Sequence, residues 1–181
     1  MNVEADADLV RCFAMARRHA SADAAVTMLH IGARESAVVS GRASDAPTIV
    51  RIPLGFAATG PLSFRHDPPT PLELETAIAV VEDVVMPLAR RLPRPSTLVG
   101  VGEAIGAVPS ALGTSESAVA LADVEQLFQQ LAAVAEGRPV ASSGLPAGTT
   151  FAATLLILRE FMHHLGFDSI AIEIGDPASA S

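Results

Sequence analysis

His30-Ile31-Gly32-Ala33-Arg34-Glu35-Ser36 is the stretch on which the reading of this chain turns. Before it, residues 25–31 form an apolar run that includes Val26, Met28, Leu29 and Ile31. After it, 36–40 is a second run with Val38 and Val39 at its centre. Two short runs of this kind separated by a few residues containing glycine read as strands joined by a tight turn. A third run at 48–53 follows the turn residues of 41–47, and the three together predict an antiparallel meander.

Outward from the meander the patterning changes period. Thr70-Pro71-Leu72-Glu73 supplies a hydroxyl cap, a proline at the first helical position and a glutamate three residues after the cap. A helix therefore starts there, with Leu74, Ile78, Val81, Val85 and Leu88 as its apolar stripe, and Pro87 should kink or shorten its last turn. Residues 97–101 read as a short buried strand opening onto Gly102. Val124, Leu127, Phe128, Leu131 and Val134 mark a further helix ended by Gly137. Another spans 150–165 and stops at Gly166. It is apolar around most of its circumference, which predicts burial between layers. A last strand is expected at 169–174. Upstream, Leu9, Val10, Phe13 and Ala16 place a helix within 6–20. The expected organisation is an N-terminal helix in 1–20, one α/β domain over 21–175 and a frayed tail at 176–181. The sheet is mixed, with about five strands, and is covered by helices.

Composition removes several function classes. The chain has 181 residues, a length that favours a single domain. All of its 12 basic residues are arginine, which excludes a phosphate-loop lysine and a Schiff-base lysine. One cysteine, Cys12, allows neither an internal disulfide nor a cysteine metal site. With net charge −8, scattered arginines and neither Tyr nor Trp, nucleic acid is not an expected partner. The apolar runs fall short of the roughly 20 residues that cross a bilayer. Acidic Glu4, Asp6 and Asp8 at the start are unlike a secretory signal, so the expectation is a cytoplasmic protein with no membrane partner.

The order of elements, with its particular turns, resembles the second domain of the exopolyphosphatase and guanosine-pentaphosphate phosphatase (Ppx/GppA) family, in the actin, sugar kinase and Hsp70 superfamily. The resemblance rests on five places and spans most of the chain. The first is the 30–36 turn, where the family reads Asp-Ile-Gly-Gly-Gly-Ser-Thr. The others are Ile52-Pro53-Leu54-Gly55, Asp67-Pro68-Pro69-Thr70, the 98–104 segment Leu98-Val99-Gly100-Val101-Gly102-Glu103-Ala104, where the family has Gly-Thr-Gly-Gly-Thr, and Gly144-Leu145-Pro146. It implies a ribonuclease H-like, actin-type ATPase domain. It also implies that Gly32, Ala33, Arg34, Glu35 and Ser36 are the remnant of one phosphate loop, and Gly100, Gly102 and Glu103 of a second.

Departures from the family decide the expected function. A phosphate loop works when successive backbone N–H groups converge on an anion and glycine lets the chain approach closely. Here Ala33 and Arg34 stand in place of glycines, His30 in place of an aspartate, and Glu35 in place of a small hydroxyl residue. Glu103 sets a carboxylate where phosphate would lie, which repels an anion. The family's first domain has no counterpart in this sequence. Its catalytic glutamate lies about twenty residues before the first loop, which brings Glu4, Asp6 and Asp8 into view, although acids at a helix start have a simpler electrostatic explanation. No catalytic residue, metal ligand or resident cofactor is assigned.

The expectation is a non-catalytic, phosphatase-like regulatory or scaffolding module, a homodimer or the binder of a protein partner. The dimer is expected because this domain packs against another in its two-domain relatives. The alternative is a phosphohydrolase or a phosphate- or nucleotide-binding enzyme with remodelled loops, using Mg²⁺, completed by a partner chain, with Arg34 gripping the anion. Three smaller candidates have bland readings. Neighbours His163 and His164 point about 100° apart and suit a helix C-terminus better than one shared metal. His66-Asp67 reads as a turn, and Ser36 as a hydroxyl at a strand start.

Overall fold

A computed structural model describes residues 3–21, 23–43, 45–57, 64–140 and 143–173. The 25–52 region folds as the expected meander of β1 (Ala25–Ile31), β2 (Ser36–Gly41) and β3 (Thr48–Ile52), with both pairings antiparallel. Strand alternation splits the side chains between two cores. Leu29, Ile31, Val38, Val50 and Ile52 point to one face, and Val26, Met28, Ala37 and Val39 to the other.

Helix α2 (Pro71–Val85) begins at the predicted capping box: the Thr70 hydroxyl accepts from the Glu73 N–H at 3.3 Å, and Glu73 accepts from the Thr70 N–H at 2.8 Å. Its buried stripe is Leu74, Ala77, Val81 and Val85, with Ile78 half-buried beside it. The α-helix ends before Pro87, and Met86–Arg90 continues as a 3-10 turn that buries Leu88, so the proline shortens the helix as its missing N–H requires. β4 (Ser96–Val101) then enters the sheet parallel to β1.

Two elements after β4 were not anticipated. Helix α3 (Glu103–Ala111) contains Gly106 and Pro109, both poor helix residues, and is held by the burial of Ile105, Val108 and Pro109. β5 (Ala118–Ala120) is too short to show a period and exists through its antiparallel pairing with the last strand. Among the described residues the mixed sheet has six strands, β5 being the addition to the expected set, in the order β3-β2-β1-β4-β6-β5. α4 (Leu121–Ala135) and α5 (Thr149–Leu165) follow, then β6 (Ser169–Glu173), parallel to β4.

All residues of α5 from Phe151 to Leu158 are buried, as its continuous apolar composition predicts. It lies at the centre of the helical layer, flanked by α2, α3 and α4. Gly166 ends it in the left-handed conformation, with φ 61° and ψ 47°. The opposite face of the sheet carries α1 (Val3–Ala16), which is followed by a 3-10 turn at Arg17–His19. Leu9, Cys12, Phe13 and Ala16 seal the second core against β1, β2 and β4. The tail expected at 176–181 lies outside the described residues. No helix among the described residues is long and apolar enough to cross a membrane.

Candidate functional site

Parallel β1 and β4 are neighbours with His30 paired to Val101, so the turns after them lie side by side at one edge of the sheet. In α/β folds this edge, outside the carboxyl ends of parallel strands, is where ligands are usually held. The structure thus brings both predicted turns to one place.

The first turn is closed on itself and braced from behind. The Gly32 N–H donates to the Glu35 carbonyl at 3.1 Å. The Gly32 and Ala33 carbonyls accept from the N–H groups of Phe56 and Ala57 at 3.1 and 2.8 Å. Gly55 makes the bracing possible, because a Cβ there would sit 2.4 Å from the Ala33 carbonyl oxygen. Ser36 is fully buried and donates its hydroxyl to the Leu54 carbonyl at 2.7 Å, tying the 52–55 segment to the turn. The serine is structural in this arrangement, in line with its reading as a strand-start hydroxyl.

His30, Ala37 and Arg51 stand opposite one another across β1, β2 and β3, in a row on the face that α1 covers. A cavity of about 310 Å³ opens beside this row, lined by Arg34 and Glu35 of the turn and by Asp8 and Leu9 of α1, among others. Arg51 had no sequence signal, yet it organises the charge here. Its guanidinium donates to Asp6 at 2.6 Å and to Glu35 at 2.7 Å. These partners hold its pKa above the ordinary value, Asp6 contributing most, against a smaller opposing effect of burial. Only strand register and the packing of α1 on the sheet reveal these pairings, since the residues are 16 and 45 positions apart in sequence. Asp6 is therefore the ion-pair partner of a strand arginine, not merely an acid at a helix start, and Asp8 pairs with Arg11. Arg34 is exposed and has no ion-pair partner among the described residues.

The second turn is shaped by packing. Gly100 lies under α3, where a Cβ would come within 2.8 Å of Ile105 and Ile170 side-chain atoms. Gly102 has φ 101° and precedes α3, and His30 lies against it, 3.1 Å from where its Cβ would be. Glu103 is the exposed first residue of that helix. A carboxylate at this position suits the helix dipole and occupies the end an anion would approach.

The remaining two motifs also meet. Asp67, Pro68 and Pro69 face Leu145 and Pro146 across a cavity of about 250 Å³, floored by Leu131, Val134 and Phe151. His66 bonds Glu73 at 3.1 Å, within the α2 cap, as expected of a turn. His163 and His164 do not share a ligand site: His163 Nδ1 faces Glu125 at 3.5 Å, while His164 Nε2 faces Glu82 at 3.1 Å.

No protein-family model matches this sequence, and no curated protein does. Comparison of the fold with solved structures finds clear neighbours. A Ppx/GppA family member from Aquifex aeolicus superposes with a TM-score of 0.64 over 86% of this chain and 54% of its own, at 14% identity. The type II crystal variant of the Aquifex aeolicus Ppx/GppA phosphatase gives 0.65 over 86% of this chain and 55% of its own, at 14% identity. An exopolyphosphatase from Cytophaga hutchinsonii gives 0.65 over 93% of this chain and 59% of its own, at 13% identity. The chain thus spans little more than half the length of these neighbours. Its six-stranded mixed sheet with helices on both faces is the fold of part of the Ppx/GppA phosphatases, the resemblance that its turns had indicated.

Proposed function

We propose that this chain is a non-catalytic, phosphatase-like domain that works in the cytoplasm by binding, as a regulatory or scaffolding module that pairs with itself or with another protein. The observation that carries the reading is the charge state of the first turn. The strand arginine nearest the turn, Arg51, is engaged by two carboxylates, Asp6 and Glu35. The leading amide of the turn is spent on Glu35, and Glu103 stands at the neighbouring helix start. An arriving phosphate would meet Glu35, Asp8 and Glu103 before it met a free row of amides.

One observation favours a second reading, a phosphohydrolase completed by a partner chain: exposed Arg34 lines the 310 Å³ cavity without an ion-pair partner among the described residues. Calorimetric titration with inorganic phosphate, polyphosphate and nucleotides in the presence of Mg²⁺ separates the two. The binding-module reading expects no saturable heat and no release of phosphate. Saturable binding that Arg34→Ala abolishes would replace it with the hydrolase reading.

A further inference from the structure

Glu160 is completely buried on α5, and its Oε2 makes no well-aligned hydrogen bond, its contact with the His164 ring at 3.1 Å being an ion pair only when that ring is protonated. A carboxylate oxygen in that condition is expensive to keep unless something positive completes it. Arg159 engages only the other oxygen, Oε1. One helical turn further on, His164 presents Nε2 at 3.1 Å from that Oε2, and from α2 Glu82 brings Oε1 to 3.1 Å from the same nitrogen. These three side chains are the one group of potential metal ligands among the described residues, with their ligand atoms all within 4.8 Å of one another.

We propose that Glu82, Glu160 and His164 form a binding site for a divalent transition cation of the zinc type, which clamps α2 to α5. On a tetrahedral zinc, ligand atoms about 2.0–2.1 Å from the ion lie about 3.3 Å from one another. The two His164 separations are already close to that value. The Glu82 and Glu160 oxygens lie within 4.8 Å of each other, and the partly exposed Glu82 side chain has room to close to the zinc spacing. One imidazole with two carboxylates is a mixed nitrogen and oxygen set that suits zinc better than magnesium, which takes oxygen ligands. His164 and Glu82 are partly open to solvent, so water can fill the remaining position. Charge agrees: the only guanidinium paired with these two carboxylates among the described residues is that of Arg159, on Glu160 Oε1. Both helices present their carboxyl-terminal turns here, the ends that favour cations. The site lies toward the opposite ends of these helices from the turns after β1 and β4, so it is separate from the cavity beside Arg34.

The test uses the full chain, stripped with chelator and titrated with Zn²⁺ and, in parallel, with Mg²⁺. Elemental analysis should find one zinc per chain after reloading, with no comparable magnesium. Zn²⁺ should raise the thermal midpoint. Glu82→Gln and His164→Asn should each weaken zinc binding by at least about tenfold and remove the thermal shift, while His163→Asn changes neither. Glu82 is partly exposed, and circular dichroism of the stripped variant verifies its fold. Absence of stoichiometric zinc in the wild-type chain would overturn the site, as would zinc binding that both variants retain.

Discussion

Glu73 shows how much one side chain can hold in place. Its carboxylate accepts from the Thr70 N–H at 2.8 Å, the Arg65 N–H at 2.7 Å, the Thr70 hydroxyl at 2.9 Å and His66 at 3.1 Å. Led by the Thr70 backbone bond, these donors lower its pKa from 4.5 to about 2. Because the folded value lies below the unfolded one, the stabilisation is complete above pH 4.5 and is lost as pH falls toward about 2. Urea unfolding across that acid range should show the wild type losing stability more steeply than Glu73→Gln. Parallel pH profiles would mean that the cap does not retain its charge.

At the scale of elements, α5 organises the helical layer, and the register of its end matters. Gly166 holds a left-handed conformation at φ 61°, and a Cβ there would lie 3.2 Å from the Arg94 guanidinium, which itself caps the Leu165 carbonyl. Gly166→Ala should lose about 1–2 kcal/mol in equilibrium unfolding. Leu158→Ala, at a fully buried position in the middle of the same helix, should lose about 2–5 kcal/mol. If the two variants were equally mild, α5 would not be the central packing element of the helical layer. Much of this element was readable in advance: a continuous apolar run followed by glycine has few other outcomes. α3 and β5 were not, because Gly106 and Pro109 weaken the first as a helix signal, and three residues cannot display a period.

The matched segment is little more than half of its neighbours in fold, and the proposed binding role predicts self-association or a protein partner. Light scattering on purified protein should return twice the 18.6 kDa chain mass. A monodisperse monomer at micromolar concentration would remove the homodimer and leave a different protein as the partner.

The linear order of residues determined the meander, the capped α2, the buried α5 and the family likeness, because strand alternation, helix caps and glycine stops act over a few neighbouring positions. Tertiary structure alone decided that Arg51 joins Asp6 to Glu35, and that His164 meets Glu82 from another helix. These pairings link residues 16 to 82 positions apart. Strand register and helix packing create them, and no local pattern in the chain encodes either.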